Sequence, residues 1–143
     1  MIFYKSHNDQ WSKNPFFLAL HCGCSIIEID VIYLDGKIML SHSWRPFKWM
    51  CYGEAFKYFE WCKKYSGRAK IALMIDIKTG NEDIIPPLCN LIYNGDNKNV
   101  TFLLRANENV TGRKYVAEQV LKRTKIFGNA RKYSDWVEEV YSC

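Results

Sequence analysis

The fold class follows from one long β-branched run that also contains two acids: Ser25-Ile26-Ile27-Glu28-Ile29-Asp30-Val31-Ile32-Tyr33. β-Branched residues favour strands, so this run is predicted to form a strand of the core. Strand side chains alternate between two faces, which places three aliphatic residues on one face and Glu28 with Asp30 on the other. The run therefore predicts a core strand that aims two carboxylates at one point.

A turn is predicted directly after this strand, at Leu34-Asp35-Gly36, and a returning strand is predicted over residues 37–41, ending at His42. Two loop lengths fit the sequence. A three-residue turn places His42 opposite Glu28, beside the acids. A two-residue loop places His42 across from Ile29, on the other face of the sheet. The register of this hairpin therefore decides whether the histidine joins the carboxylates.

The rest of the chain alternates predicted strands with predicted helices, which is the pattern of an α/β fold. Further strands are predicted at residues 2–6, 70–78, 99–105 and 124–127. Helices are predicted from Asn14, a suitable N-cap, to Gly23, and at residues 54–65, 83–93, 113–122 and 134–140. Strand 70–78 repeats the polarity of the first run, since Asp76 and Lys78 share a face near its carboxyl end.

The composition predicts one globular domain over residues 1–143, with 48% hydrophobic residues and a net charge of +5. The positive charge favours an anionic partner, such as a phosphate ester, a nucleic acid or a lipid head group, without choosing among them. No run approaches the roughly 18 apolar residues of a membrane span, and no apolar signal segment opens the sequence. We therefore expect a cytoplasmic protein whose cysteines are reduced and mostly buried, rather than a disulfide framework.

Six polar residues lie at or near the carboxyl ends of predicted strands: His7, Glu28, Asp30, His42, Asp76 and Lys78. These ends meet at one edge of a parallel α/β sheet, so the six side chains can share one pocket. Buried acids without a counter-charge raise one another's pKa values, and a hard divalent cation such as Mg²⁺ or Ca²⁺ removes that penalty. Two histidines beside such a cation suit displacement at phosphorus, and a lysine there can neutralise a phosphoryl oxygen.

At these residues the chain resembles the glycerophosphodiester phosphodiesterase family. The segments that carry the resemblance are Ser6-His7-Asn8-Asp9, residues 19–31, residues 35–42 and Ile75-Asp76-Ile77-Lys78. They are also similar to the spider-venom phospholipase D toxins and to other members of the phospholipase C-like phosphodiesterase superfamily. The resemblance implies metal binding by Glu28, Asp30 and Asp76, catalysis by His7 and His42, and a phosphate contact by Lys78.

The resemblance also implies a TIM-type (β/α) barrel, which needs about 250 residues and at least about 200. This chain can supply only five or six strands. We therefore expect a shortened or incomplete barrel, an open remnant, or a half that a second copy completes in a homo-oligomer. The implied substrate is a glycerophosphodiester- or lysophospholipid-like phosphodiester. A catalytically weak or inactive phosphate-ester-binding module is the competing hypothesis, and nucleic-acid binding is less favoured.

Other residues are interpreted without help from the resemblance. Arg105 ends a predicted strand and is expected to lie at the surface. Asn8 and Asp9 directly follow His7 in sequence and are candidates to orient it. Aromatic residues pack into cores more often than they contact ligands. We therefore predict packing for the cluster that follows the second histidine: Trp44, Phe47 and Trp49.

Overall fold

A computed structural model describes residues 2–43, 45, 47–66, 70–95, 97–107, 109–124, 130–132 and 139–142. Its strands are β1 (Ile2–Ser6), β2 (Ile26–Leu34), β3 (Lys37–Leu40), β4 (Ile71–Ile77), β5 (Val100–Ala106), β6 (Ala130–Lys132) and β7 (Glu139–Ser142). Its α-helices are α1 (Phe17–His21), α2 (Phe56–Tyr65), α3 (Ile85–Asn94) and α4 (Thr111–Thr124). None of the helices formed by these residues is both long and apolar enough to cross a membrane.

The seven strands of the described residues form one sheet. Six strands lie side by side in the order β6-β5-β4-β2-β1-β7, and β3 pairs with β2 outside this row. Every pairing along the row is parallel, whereas β2 and β3 are antiparallel. The α/β class predicted from the sequence is confirmed. A pairing between β6 and β7 does not occur among the described residues, so a closed barrel is not shown.

The main hydrophobic core lies on one face of this sheet, where aliphatic side chains of β2, β4 and β5 pack against α1 to α4. The strand members alternate along the chain as predicted: Ile27, Ile29, Val31, Ile71, Leu73, Ile75, Ile77, Val100, Phe102 and Leu104. Full burial of one such side chain contributes about 1.5–3 kcal/mol of hydrophobic free energy. The residues between them point to the opposite face, so the core fixes which side of the sheet receives the acids.

The hairpin after β2 has the shorter of the two loops that the sequence allows. Leu34 pairs with Lys37, which leaves only Asp35 and Gly36 in the loop. Both loop residues have positive φ, 51° and 76°, which is the requirement of a type I′ turn. This turn follows the right-handed twist of the flanking strands, and Asp-Gly is a preferred sequence for it. The three-residue alternative is therefore wrong.

The first helix is shorter than the sequence predicts. It begins at Phe17 rather than directly after Asn14, because Phe16 has a φ of 68° and a ψ of −54°, outside the helical region. The backbone N–H of Phe16 donates a 2.6 Å hydrogen bond to the buried carboxylate of Asp9. A tertiary contact thus replaces the predicted cap and holds the residue in a conformation that costs about 1–3 kcal/mol.

The C-terminal predictions fail where the described residues test them. Thr124 is the last residue of α4 and does not begin a strand. Glu139 and Val140 lie in β7, although a helix was predicted there. Parallel pairing of β7 with β1 determines this strand, and local propensity does not encode such a pairing. The remaining parts of both predictions, residues 125–127 and 134–138, lie outside the described residues.

The redox state of the cysteines differs from the expectation at one position. Four of them are reduced: Cys22, Cys51, Cys62 and Cys89. Cys24, which precedes β2, is disulfide-bonded, and its partner lies outside the described residues. The prediction of reduced thiols is therefore right for these four cysteines and wrong for Cys24, and the prediction that most of them are buried is wrong, since only Cys62 of the four is buried.

Candidate metal centre

Three buried carboxylates converge on the face of the sheet opposite the helices. Glu28 and Asp30 lie on β2, and the parallel register of β2 with β4 sets Asp76 directly beside Asp30. One carboxylate oxygen from each residue lies within 4.8 Å of the other two, so the trio could hold a metal ion. The expected convergence of these acids is present. It depends on the register, because a shift by one residue would turn Asp76 towards the helices.

Glu28 is compensated by two basic side chains. Lys5 on β1 pairs beside Ile26 and so shares the face of Glu28, with Nζ 2.7 Å from Oε2. Nη1 of Arg105 on β5 lies 3.8 Å from Oε1 of the same carboxylate. Arg105 was expected at the surface; its side chain is partly exposed, but its guanidinium reaches the acidic trio.

Lys78 balances the other end of the trio. Its Nζ lies 3.0 Å from Oδ2 of Asp76 and 3.9 Å from Oδ1 of Asp30. Together with the two basic residues at Glu28, it supplies one positive charge for each acid. Contrary to the expectation from the sequence, the buried acids therefore do not require a divalent cation for charge balance, because lysine and arginine side chains already offset their repulsion. The geometry of the carboxylate oxygens decides whether a cation fits.

The two ends of the trio differ in acidity. Burial opposes ionisation of Glu28, but hydrogen bonds and charge from Lys5 and His7 outweigh it and lower its pKa below the ordinary value. Burial raises the pKa of Asp76, and the neighbouring Asp30 adds to the rise despite the opposing charge of Lys78. Glu28 therefore keeps its negative charge, whereas ionisation of Asp76 is disfavoured.

Asp30 provides the geometric evidence that a cation fits. Its Oδ2 accepts a 2.9 Å hydrogen bond from Nε2 of Gln10 and lies 3.0 Å from Nδ1 of His42. Its Oδ1 is buried and has no hydrogen-bond partner. A buried carboxylate oxygen without a partner is costly, and a cation is the ligand that such an oxygen accepts best. An all-carboxylate donor set of this kind suits Mg²⁺ or Ca²⁺.

Two histidines contact the acids, each through Nδ1 of its imidazole ring. Nδ1 of His7 lies 2.9 Å from Oε2 of Glu28, and Nδ1 of His42 lies 3.0 Å from Oδ2 of Asp30. An ionised carboxylate only accepts, so each Nδ1 carries the hydrogen and donates it. The neutral ring then has its lone pair on Nε2. The two side chains are 50% and 53% exposed, so both rings can be reached from solvent.

His42 reaches Asp30 although the hairpin has the register expected to turn it away. The reason is that β3 ends at Leu40, two residues before the histidine. The backbone N–H of Ser41 still donates to the carbonyl of Asp30 at 3.0 Å, and the chain then leaves the sheet. The indole of Trp11 packs edge-on against the imidazole, with ring centroids 5.1 Å apart. Strand alternation therefore does not govern His42.

A buried acid fixes the loop that carries His7. Asp9 accepts hydrogen bonds of 2.6 Å from Oγ of Ser6, from the backbone N–H of Phe16 and from the hydroxyl of Tyr58. Burial and the neighbouring Asp9 raise the pKa of Tyr58, so this hydroxyl remains a donor. Asp9 thus acts on the loop backbone; its hydrogen bonds go to residues other than His7.

Sequence reasoning missed two residues of this site. Strand alternation assigns Lys5 to one face of β1, but only the parallel register with β2 shows that this is also the face of Glu28. Gln10 had no local signal, because its contact with Asp30 depends on the path of a loop, where it also accepts from the backbone N–H of Asp30 at 3.4 Å. Both omissions concern contacts between segments that are distant in sequence.

The aromatic residues after His42 do not pack into the core as predicted. Phe47 and Trp49 are exposed, and their rings stack on each other. Trp44, the third member of the predicted cluster, lies outside the described residues. The prediction is therefore wrong for two of these three residues.

The N-terminal third of the chain is similar to a known domain. Residues 1–49 match the family model of the AIM6-like phosphodiesterase domain. This segment contains His7, Glu28, Asp30 and His42, and it ends before β4, which carries the third acid. No curated protein and no solved structure matches the chain. The likeness therefore supports a phosphodiesterase-like domain without favouring the glycerophosphodiester or venom-toxin branch of the resemblance.

Proposed function

We propose that this protein is a metal-dependent phosphodiesterase acting on a glycerophosphodiester- or lysophospholipid-like phosphodiester. The observation that carries the proposal is the pairing of two half-exposed imidazoles with two members of one buried acidic trio. Each pair fixes a ring and leaves Nε2 as the nitrogen able to act on a substrate. The likeness of residues 1–49 to a phosphodiesterase domain supports the same reaction class.

The acidic trio is the proposed cation site. Glu28, Asp30 and Asp76 would hold one divalent cation, with Oδ1 of Asp30 as the buried oxygen that accepts no hydrogen bond. When bound, Mg²⁺ or Ca²⁺ stabilises negative charge on the phosphoryl oxygens. Lys78 lies at the same edge, with Nζ 3.0 Å from Asp76, and is proposed to contact a non-bridging phosphoryl oxygen.

The two histidines divide the proton transfers. In the proposed reaction an oxygen nucleophile forms a bond to phosphorus, and the bond from phosphorus to the leaving alkoxide breaks. Nε2 of one neutral imidazole takes the proton of the nucleophile, and the other imidazole, protonated, gives its Nε2 proton to the leaving oxygen. Glu28 and Asp30 hold the two Nδ1–H groups and stabilise the imidazolium form. Because both rings are held in the same way, either one suits either role.

The test is turnover of a soluble phosphodiester, bis(p-nitrophenyl) phosphate, by the whole chain. We expect hydrolysis that a chelator abolishes and added Mg²⁺ or Ca²⁺ restores. His7→Ala and His42→Ala should each lower the rate by about 10²- to 10⁴-fold, because each removes a proton-transfer group. His21→Ala is the matched control, since His21 is exposed at the end of α1.

Three results would contradict the proposal. Equal rates in wild type and both histidine variants would remove the imidazoles from the chemistry. Unchanged turnover in chelator would remove the cation. Binding of phosphodiester by the wild type without any turnover would instead support an inactive phosphate-ester-binding module.

A further inference from the structure

An exposed aromatic segment follows the second histidine. We define the aromatic–basic segment as Arg45 and residues 47–52. Trp49 is 81% exposed, Phe47 48% and Tyr52 49%. The rings of Phe47 and Trp49 stack with centroids 5.8 Å apart and an interplanar angle of 15°. Large aromatic side chains that are exposed together mark a surface that contacts an apolar or interfacial partner.

The charge of this segment has one sign. Arg45 and Lys48 are exposed between the aromatic residues, and the sequence has no acid from Ser43 to Gly53. The next acid, Glu54, is paired with Lys37 at 3.2 Å. Lys57, just beyond, donates a 3.3 Å hydrogen bond to the carbonyl of Tyr52. Among the described residues, the segment therefore presents positive charge together with aromatic rings.

The segment also adjoins the proposed active site. It begins three residues after His42, whose ring contacts Asp30. Trp11, itself half exposed, packs against the same imidazole with centroids 5.1 Å apart. His42 thus has one exposed aromatic neighbour by contact, Trp11, and an exposed aromatic segment that follows it closely in sequence. A partner that binds the segment would lie near His42, because Arg45 is only three residues away along the chain.

We infer that the aromatic–basic segment docks on the surface of an anionic lipid bilayer. Tryptophan and tyrosine combine an apolar ring with a polar group, which suits the boundary between head groups and acyl chains. Basic residues beside them are attracted to the negative surface of anionic lipids. The segment itself is short: its one helical turn, Lys48–Met50, offers no extended face for a helix or strand of a protein partner.

The inference extends the proposed function and rests on it for one step. Docking itself needs only the rings and cations of the segment. Delivery of a lipid phosphodiester to His7 and His42 additionally requires that the acidic trio and histidines perform the proposed reaction. The bilayer would then supply the phosphodiester head group at the edge of the sheet where these histidines are exposed.

The experiment is co-sedimentation of the whole chain with vesicles of phosphatidylcholine mixed with phosphatidylserine, compared with vesicles of phosphatidylcholine alone. We expect binding to the anionic vesicles that added salt weakens. Trp49→Ala should weaken binding roughly tenfold through loss of buried apolar surface. Lys48→Glu should weaken it by about fivefold or more. The matched controls, Tyr115→Ala and Lys114→Glu on the exposed surface of α4, should bind like wild type.

Two further measurements separate docking from catalysis. Trp49→Ala should hydrolyse soluble bis(p-nitrophenyl) phosphate at the wild-type rate, and His7→Ala should bind vesicles as wild type does. Soluble turnover without binding to anionic vesicles overturns the inference and leaves the proposed function standing. Vesicle binding that Trp49→Ala and Tyr115→Ala affect equally also overturns it. If Trp49→Ala changes the oligomeric state in solution but leaves vesicle binding unchanged, a second copy covers the segment and the inference fails.

Discussion

The two ends of the acidic trio are balanced in different ways. Glu28 contacts the ammonium of Lys5 at 2.7 Å and the guanidinium of Arg105 at 3.8 Å. Asp76 has an ion pair of 3.0 Å with a lysine and shares its register position with another acid, Asp30. Both carboxylates are buried in the same sheet face. Their pKa values nevertheless move in opposite directions, down for Glu28 and up for Asp76.

This difference shows that burial alone does not determine what a carboxylate does. Glu28 is saturated by basic partners and keeps its charge, whereas the end formed by Asp30 and Asp76 retains an oxygen, Oδ1 of Asp30, without a hydrogen bond. A divalent cation relieves the second end more than the first, because it partners that oxygen and offsets the repulsion between the two aspartates. Three substitutions test this contrast.

The largest effect is expected for Asp30→Asn. The amide removes a charged ligand oxygen and alters the hydrogen bond that fixes the ring of His42, so turnover should fall about 10³-fold. Affinity for Mg²⁺ or Ca²⁺, measured by calorimetric titration, should fall with it. Asp83→Asn, at an exposed position, is the control. If Asp30→Asn binds Mg²⁺ or Ca²⁺ as tightly as the wild type does, the cation does not bind at the end of the trio formed by Asp30 and Asp76.

Glu28→Gln should destabilise the metal-free protein by about 3 kcal/mol at neutral pH, because it breaks the 2.7 Å ion pair that the buried Glu28 carboxylate makes with the mostly buried Lys5. The pKa of Glu28 is lowered from 4.5, so its stabilising contribution is complete above that pH. It is lost as the pH falls through the lowered pKa. Urea unfolding in chelator across this range measures the difference.

Glu54→Gln provides the comparison for this substitution, because its ion pair with Lys37 is at the surface and should contribute less than about 1 kcal/mol. Equal losses in Glu28→Gln and Glu54→Gln would contradict the assignment of Glu28 as the saturated, stabilising member of the trio.

The smallest effect, of opposite sign, is expected for Asp76→Asn. The pKa of Asp76 is raised above 3.8, so its ionised form costs stability at every pH above the raised value. The neutral amide should therefore slightly stabilise the metal-free protein at neutral pH, because it removes a carboxylate whose charge is disfavoured by burial and by Asp30. The gain should vanish as the pH falls to about 3.8. If Asp76→Asn instead lowers the midpoint of thermal unfolding in chelator, the proposed difference between Asp76 and Glu28 is wrong.

Much of this architecture was predictable because it is local. The β-branched run of β2, its period-two alternation and the Asp-Gly turn each involve neighbouring residues, and the helices α2, α3 and α4 appear near their predicted positions. The failures are contacts between distant segments. At Glu139 and Val140, the end of the helix predicted over residues 134–140, the chain instead forms β7, which exists through its pairing with β1.

The candidate site divides in the same way. Residue type and local pattern were enough to select the candidate residues, because an acid on an apolar strand, or a histidine or lysine near its end, stands out in the chain: His7, Glu28, Asp30, His42, Asp76 and Lys78. Only the tertiary structure decided that Lys5 and Arg105 balance Glu28 and that Gln10 holds Asp30. These contacts follow from parallel register and loop path, which are set by packing across the whole sheet rather than by residue type.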